Sequence, residues 1–456
     1  MSAQLWAKGL PLDESIHRFT VGDDPRLDTQ LLVHDALGSA AHARMLAEAG
    51  LMPKSDAAAV VKSLAGIARR ARQGGITITT EQEDAHTAIE ALLTVELGDA
   101  GKRIHLGRSR NDQVILALRL YMREALLETM ERTAKLALNF TVFARAHAHE
   151  PMPGYTHLRP AMPSSFGLWA AAFAAGLAEE LQAMQALYTR LDRCPLGAAA
   201  GFGVPLPIDR ECTAKLLGFS GVQISPVDVQ NSRGRHELAL LNAFASIGLT
   251  MEKFLWDVSL YSMLEFGFLK LPDAFTTGSS IMPQKRNPDV VELARGRCRE
   301  LRGYAAMMQE LASGLPSNYH RDLQLLKKPL FDAVQSVQAW LDVLIALVPA
   351  LEVDAVRAQA ACRDDIYAAH QAFVLAQGGM PFRDAYKQVA KQLEDGGFKP
   401  DRDALTTTHL GGAGNLGLEL MESELTAAQS WSRDIRGKLA AAEKELWNSD
   451  IGGKTK

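Results

Sequence analysis

The longest stretch of uninterrupted helix-compatible sequence spans residues 109–150, which contain neither glycine nor proline. If all of it is helical, the stretch is roughly 60 Å long at about 1.5 Å per residue. Val114, Leu118 and Tyr121 recur at helical spacing along one face of it. A helix of that length with one apolar face is typical of a helical bundle, in which other long helices cover the face.

Four further segments supply such helices. Apolar residues recur with helical periodicity over residues 164–194, 234–266, 289–313 and 329–351. Almost no segment alternates apolar and polar residues as a half-buried strand does. The sequence therefore predicts an all-α protein built around a central bundle of long helices.

Length and composition limit the class of protein. A chain of 456 residues exceeds one ordinary domain, so we expect two or three packed units. The net charge of −4 argues against nucleic acid or an anionic membrane as the main partner. The most apolar run, residues 166–178, is too short to span a bilayer. Scattered cysteines without a C-x-x-C pair, and no targeting pattern in residues 1–10, predict a reduced, cytoplasmic protein.

A polar segment, T-T-G-S-S-I-M-P-Q-K-R-N-P-D at residues 276–289, separates two of the predicted helices. Its glycine and prolines exclude one continuous helix, and long ordered loops in compact proteins are usually functional. Ser279 follows a glycine, and Lys285 stands six residues further on. Such a serine can remove a proton if the lysine stabilises the charge that develops. A polar surface loop without a catalytic role is the alternative.

The segment resembles the signature loop of the fumarase/aspartase superfamily, G-S-S-x-M-P-x-K-x-N. It is nearly identical to the form in argininosuccinate lyases, G-S-S-x-M-P-Q-K-[KR]-N-P-D. About ten fixed positions in order are far more specific than a lone glycine-rich motif. The resemblance implies a three-domain, all-α fold with boundaries at residues 1–108, 109–352 and 353–456. It also implies a homotetramer whose core is the shared bundle and whose active sites each combine three subunits.

The segment G-R-S-R-N-D-Q at residues 107–113 begins the longest predicted helix. Ser109 or Asn111 would make a good helix N-cap, and a helix N-terminus also presents N–H groups to an anion. The same segment is characteristic of argininosuccinate lyases. The resemblance implies that Ser109, Arg110 and Asn111 bind substrate.

Two segments with a histidine match the family as well. P-M-P-G-Y-T-H-L at residues 151–158 resembles the family's G-Y-T-H-L-Q, which implies roles for Thr156 and His157 at the active site, with Arg159 replacing the usual glutamine. By itself a single histidine in a turn is more often structural. The segment E-D-A-H at residues 83–86 resembles a family segment near the substrate, which implies that His86 contributes to binding. Its acidic residues alone would also suit the first turn of a helix.

Two further segments concern substrate binding. Residues 315–327 resemble the family pattern L-P-S-x-Y-x-x-D-L-Q-x-x-K. This match implies that Tyr319, Gln324 and Lys327 hold the arginine-like end and the carboxylates of the substrate. The segment N-S-R-G-R-H-E at residues 231–237 departs from the family's S-D-R-D, whose arginine contacts substrate. Arg235 keeps a cation there, although a solvated charge cluster at a helix start is an alternative.

The reaction implied by the resemblance is β-elimination, which cleaves argininosuccinate to arginine and fumarate as the last step of arginine biosynthesis. Ser279 would remove the proton α to a carboxylate, with Lys285 favouring its alkoxide and Asn287 holding the carboxylate of the carbanion. His157 would protonate the leaving guanidine, and Glu292 would hold its imidazole in the required tautomer. The chemistry implies neither a metal nor an organic cofactor.

Two alternatives remain open at the level of sequence. The chain could be a sister lyase of the superfamily that releases fumarate from another succinyl-amine, because Gly234 and His236 replace acidic residues of the family pattern. It could also be a non-catalytic structural protein, as δ-crystallins are. The expected partner is a small-molecule substrate, argininosuccinate, rather than nucleic acid or a membrane.

Overall fold

The computed structural model describes residues 13–402 and 407–448, and helices dominate it. The helices are α1 (Glu14–Val21), α2 (Asp24–Leu27), α3 (Leu32–Glu48), α4 (Lys54–Arg72), α5 (Ala85–Leu97), α6 (Asp99–Lys102), α7 (Arg110–Ala146), α8 (Phe166–Leu191), α9 (Arg210–Leu216), α10 (Pro226–Asn231), α11 (Arg235–Tyr261), α12 (Asp289–Ala312), α13 (Lys327–Leu347), α14 (Ala355–Ala361), α15 (Ala368–Gln377), α16 (Phe382–Glu394) and α17 (Leu418–Asn448). The short strands are β1 (Pro151–Thr156), β2 (Arg159–Ser165), β3 (Leu269–Lys270), β4 (Thr277–Gly278), β5 (Arg286–Asn287) and β6 (Glu352–Val353). The predicted all-α class is confirmed.

The central bundle consists of α7, α8, α11, α12 and α13, which are the five helices that the sequence predicts. The 37 residues of α7 make it about 55 Å long. Helices α7 and α8 run antiparallel, as do α11 and α12. Aromatic rings fill the centre: Phe140 meets Phe254 edge to face with 4.9 Å between ring centroids. The apolar stripe of each long helix is therefore covered by its neighbours.

The N-terminus of α7 is capped as the sequence predicts. Ser109 is the N-cap, and its hydroxyl accepts a hydrogen bond from the amide of Asn111. The buried carboxylate of Asp112 accepts from the amide of Ser109 at 2.9 Å. Its second oxygen accepts from the amides of Gly197 and Ala199 at 3.0 and 2.8 Å. One aspartate thus closes the capping box and ties the connection after α8 to the start of α7.

A buried arginine of α7 pairs with His236, a residue that departs from the family pattern. Arg119 donates to the carbonyl of Arg193 at 2.9 Å and to Nδ1 of His236 at 2.6 Å. Burial, together with the positive charge of Arg119, lowers the pKa of His236 to about 2. The histidine is therefore a neutral acceptor that joins α7 to the start of α11, and its ring is buried.

Two smaller apolar cores flank the bundle. Helices α3, α4 and α5 enclose one, and residues of α15 and α16 enclose the other with the segment around Cys362. Helix α17 runs along α7 and α8, with Leu425 in the core of the bundle, and its Leu446 reaches the core of the N-terminal helices. Residues 76–79 form no regular element and link α4 to the segment before α5.

Two short hairpins lie beyond the C-terminal end of α7 and the N-terminal end of α12. Strands β1 and β2 pair antiparallel, and His157 and Leu158 at their turn have positive φ angles of 53° and 57°. Tyr155 packs on Phe266, just after α11, with 5.7 Å between ring centroids. Strands β4 and β5 pair Thr277 with Asn287 and thereby close the base of the predicted signature loop.

Two segments, Arg235–Tyr261 and Arg321–Ala350, are long and apolar enough to cross a membrane by length and composition alone. Both lie within the bundle, where side chains such as Phe244 and Leu344 are fully buried against neighbouring helices. Their hydropathy is that of core helices in a helical bundle.

Candidate active site

The predicted site residues lie at opposite ends of the bundle. Because α7 is about 55 Å long, residues 109–111 at its start are far from the β1–β2 hairpin that follows its end. Helix α12 begins beside that hairpin end and returns to the start of α11, where Ala312 meets Gly234. We call the end with residues 109–111 and 319–327 the cavity end, and the end with residues 151–165 and 276–288 the loop end.

A polar cavity of about 190 Å³ opens at the cavity end. It is lined by Val21, Asp24, Glu83, Asp84, Arg110, Asn111, Val114, Arg233, Tyr319, Arg321, Gln324 and Lys327. Five of these are predicted substrate-binding residues, brought together from the start of α7 and the segment before α13. Val114 and Arg321 belong to the same two segments, and the remainder come from the N-terminal region and from the residue before Gly234, so the cavity combines segments that are distant in sequence.

Lys327 is buried between two carboxylates. Its ammonium lies 2.9 Å from Asp24 and 2.6 Å from Asp28. Although burial disfavours the charged form, Asp28 and Asp24 raise the pKa of Lys327. Burial also raises the pKa of Asp24 to about 6, against the opposing effect of Lys327. The lysine therefore stays charged, and a carboxylate remains exposed to the cavity beside it.

Arg110 is held at the rim by two acidic residues of the α5 start. Its guanidinium donates to Asp84 and, at 3.2 Å, to Glu83. Asp84 also caps α5 by accepting from the amide of Thr87. Although burial favours the neutral acid, His86 and Arg110 lower the pKa of Asp84 to about 2. The guanidinium is thus fixed with about a third of its surface exposed to the cavity.

Arg233 is the arginine of its segment that lines the cavity. It is buried, and it donates to Glu237 at 3.2 Å and to the carbonyl of Leu323 at 2.8 Å. Arg235, singled out from the sequence, is half exposed and pairs with Asp228 at 2.9 Å. It is not among the described residues that line the cavity. Placing the S-D-R-D pattern on residues 231–234, with arginine third in both, would have found Arg233.

The N-terminal helices form one wall of the cavity. The side-chain amide of Gln324 donates to the carbonyls of Thr20 and Val21 at 3.1 and 3.0 Å. Arg321 donates to the Thr20 carbonyl at 2.8 Å. These bonds hold the turn between α1 and α2 over the cavity.

His86 lies beneath the cavity, fully buried, and its Nδ1 is 2.8 Å from the carboxylate of Asp35. Although burial opposes it, Asp35 raises the pKa of His86. The charged ring contributes to the low pKa of Asp84, whose carboxylate pairs with Arg110. His86 therefore influences the charge of Asp84, a residue that lines the cavity.

The loop end presents its predicted residues to solvent within one chain. The hydroxyl of Ser279 accepts from the amides of Met282 and Ile281 at 3.0 and 3.3 Å, which fixes a turn. Lys285 is exposed, and so is Glu292 in the first turn of α12. Asn287 lies at the strand that closes the loop, with its side chain 3.5 Å from the carbonyl of Gly278.

The second group at this end is the tip of the β1–β2 hairpin, where Thr156 and His157 are exposed. Large apolar side chains accompany both groups: Leu158 is 78% exposed and Ile281 is 85% exposed. Apolar and polar side chains are therefore exposed together at this end of the chain.

Comparison with known proteins identifies the family of this chain. A family model described as lyase matches residues 13–303. An argininosuccinate lyase of Sorangium cellulosum (strain So ce56) is 45% identical, over 92% of this chain and 97% of that protein. This chain belongs to the argininosuccinate lyase family.

Other argininosuccinate lyases are similar over comparable lengths. That of Phocaeicola vulgatus is 41% identical over 93% of this chain, and that of Thermotoga neapolitana is 40% identical over 86% of it. They cover 95% and 98% of those proteins. The predicted membership of the argininosuccinate lyase family, and with it lyase activity, is therefore confirmed.

Solved structures extend the likeness to the fold. An EDDS lyase in complex with formate has a TM-score of 0.81 at 21% identity and covers 97% of this chain and 96% of that one. A fumarate lyase:delta crystallin from Brucella melitensis has a TM-score of 0.71 at 19% identity, with 92% and 97% covered. The predicted fumarase/aspartase-like fold is confirmed for this argininosuccinate lyase family member.

Proposed function

We propose that this protein cleaves argininosuccinate to arginine and fumarate, the last step of arginine biosynthesis. The observation that carries the proposal is the cavity, where Arg110, Arg233 and Lys327 meet in a chain 45% identical to an argininosuccinate lyase. These are three of the four cations that line the cavity, and they suit a substrate with three carboxylates, since buried or half-buried cations bind carboxylates by charge-assisted hydrogen bonds.

The binding site that we propose extends beyond the cavity. Its substrate-binding residues are Ser109, Arg110, Asn111, Thr156, Asn287, Tyr319, Gln324 and Lys327, with Arg233 in place of Arg235. The positive end of the α7 dipole favours a carboxylate, and the planar guanidinium of Arg233 suits bidentate binding. His86 supports this site through Asp84.

The proposed chemistry begins at the loop end. Ser279 removes the proton α to a carboxylate, and Lys285 stabilises both the alkoxide and the charge that develops on the substrate. Asn287 holds the carboxylate of the carbanion. His157 protonates the leaving guanidine, and Glu292 orients the imidazole. The electron pair of the broken C–H bond forms the C=C bond of fumarate as the C–N bond breaks.

In this proposal, the cavity end and the loop ends that form one active site come from different chains. We propose a cytoplasmic homotetramer in which the bundles pack together and each site draws on three subunits. The cavity end of one chain then faces loop ends of others, which explains why the exposed loop-end residues need a partner. We retain three domains, at residues 1–108, 109–352 and 353–456.

A sister lyase that acts on another succinyl-amine is the second candidate. The observation in its favour is the replacement of the family's acidic residues, by Ser232 and Gly234 when Arg233 takes the arginine position of the pattern rather than by Gly234 and His236. His236 is buried against Arg119, so it serves helix packing rather than the cavity. This contact favours argininosuccinate as the substrate and leaves the cavity cations unchanged.

The deciding experiment follows fumarate by its ultraviolet absorbance after argininosuccinate is added. We expect turnover by the wild type and a loss of at least about a thousandfold in kcat for Ser279→Ala, because the proposed base is removed. Ser280→Ala, which removes a neighbouring exposed hydroxyl, is the matched control and should retain turnover within about threefold.

Near-full activity of Ser279→Ala would reject the proposed base. A wild type that is inactive on argininosuccinate but releases fumarate from another succinyl-amine would support the sister lyase. Inactivity on all such substrates would support a structural role like that of δ-crystallins.

A further inference from the structure

The charges around Lys327 do not balance. One buried ammonium lies between two carboxylates, Asp24 and Asp28, so the trio carries one negative charge when all three are ionised. Asp28 is fully buried, and its second oxygen accepts from the amide of Ala85 at 3.3 Å. Asp24 instead lines the cavity, with its carboxylate 14% exposed. The excess negative charge is therefore presented to whatever occupies the cavity.

The other carboxylates of the cavity are already engaged by a cation. Asp84 binds Arg110 and caps α5, and Glu83 lies 3.2 Å from Arg110. The carboxylate of Asp24 accepts from Lys327 through a single oxygen, Oδ2. Asp24 lines the cavity, and a carboxylate has a second acceptor oxygen, Oδ1, for a cationic donor there.

The substrate in the proposed function carries such a donor. Argininosuccinate has three carboxylates, for which the cavity supplies cations, and an α-ammonium group on its arginine part, which needs an anionic acceptor. An ammonium is a compact, strongly hydrated charge, so it enters a half-buried site only where a carboxylate replaces its water.

We propose that Asp24 binds the α-ammonium group of the arginine part of the substrate and thereby selects α-amino acids. The inference rests on the proposed function. Lys327, held by Asp28, then binds the adjacent α-carboxylate, so the two groups of an amino acid meet a carboxylate and an ammonium side by side. Such a pair accepts an amino acid and rejects its deaminated analogue. The analogue lacks the ammonium group and therefore leaves Asp24 without a partner.

The test compares binding of arginine with that of 5-guanidinopentanoate, which is arginine without its amino group. We expect Asp24→Asn to weaken arginine binding by about tenfold or more, since a charge-assisted hydrogen bond is lost. The same variant should weaken 5-guanidinopentanoate by less than about threefold. Asp23→Asn is the matched control, because Asp23 is exposed and pairs with Arg26 at 3.4 Å. Isothermal titration of the full chain gives both affinities.

The pH dependence gives a second readout. The charged groups that act on Asp24 are Lys327, Asp28 and Asp84, and burial places its pKa at about 6. As the pH falls through that value, Asp24 takes up a proton and loses its attraction for an ammonium. Arginine affinity of the wild type should therefore fall between pH 7 and pH 5, and the affinity of Asp24→Asn should change less over the same range.

Equal losses for arginine and its deaminated analogue would overturn the proposal, because Asp24 would then act only by positioning Lys327. Unchanged binding of arginine by Asp24→Asn would overturn it too. If the wild type releases fumarate from argininosuccinate while either result holds, the proposed function stands and the role of Asp24 falls. If the wild type neither cleaves argininosuccinate nor binds arginine, both fall together.

Discussion

The guanidinium of Arg233 does two things at once: it faces the cavity, and it binds Glu237 and the Leu323 carbonyl. Lysine keeps the charge but loses the planar fork. We expect Arg233→Lys to raise the KM for argininosuccinate by about tenfold or more. Arg235→Lys should change it by less than about twofold, since Arg235 pairs with Asp228 at the surface.

Steady-state kinetics with both variants would check this pair, and thermal unfolding would show whether Arg233→Lys folds normally. A larger effect at Arg235 than at Arg233 would indicate that Arg235 contacts the substrate, as the sequence pattern implies.

Single residues show what a sequence can and cannot predict about the cavity. Arg110, Tyr319 and Lys327 stand in motifs whose spacing identifies them, and the structure brings them together. Asp24 stands in no such motif, because its importance comes from the charge of Lys327, three hundred residues away in the chain. The charge balance of residues that meet only after folding cannot be predicted from the spacing of a local motif.

At the scale of elements, the start of α11 depends on a glycine. Gly234 has φ of +79°, and an added Cβ would lie 2.5 Å from Cβ of Ala312. Gly50, at the end of α3, has φ of +71° with open space around it. Both Gly→Ala changes carry a backbone cost of about 1 kcal/mol, and Gly234→Ala adds a packing cost of about 1–3 kcal/mol.

Gly234→Ala should therefore lower the urea midpoint of unfolding more than Gly50→Ala, at equal protein concentration. Equal midpoints for the two variants would mean that α11 and α12 separate enough to accept the methyl group.

The long helices were predictable because glycine and proline mark their ends and the apolar residues recur along one face. Two other elements could not be predicted in this way. The β1–β2 hairpin contains Pro151, Pro153, Pro160 and Pro163, which obscure any strand signal. Helix α17 divides its apolar residues between two cores, with Leu425 in one and Leu446 in the other, so no single continuous stripe predicts it.

At the scale of the whole molecule, the separation of the cavity end from the loop end predicts complementation. Asn111→Leu would fill the cavity of its own chain, and Ser279→Ala would remove the base at the other end. Each variant alone should be inactive. Co-expressed in equal amounts, they should regain about one quarter of the wild-type activity, because random mixing leaves that share of sites with both intact parts.

Fumarate release by the co-purified mixture, isolated through two different affinity tags, measures the recovery. If each site were built within one chain, mixing would restore nothing.

The unbroken helix α7 has a further consequence. In the proposed tetramer, a stiff helix about 55 Å long carries parts of different sites at its two ends, so each chain contributes to more than one site. Because each proposed site draws on three subunits, only a closed ring of contacts completes every site. Dilution that opens the ring should then abolish turnover while helix content is still intact. Specific activity would therefore report the fraction of chains in the closed assembly.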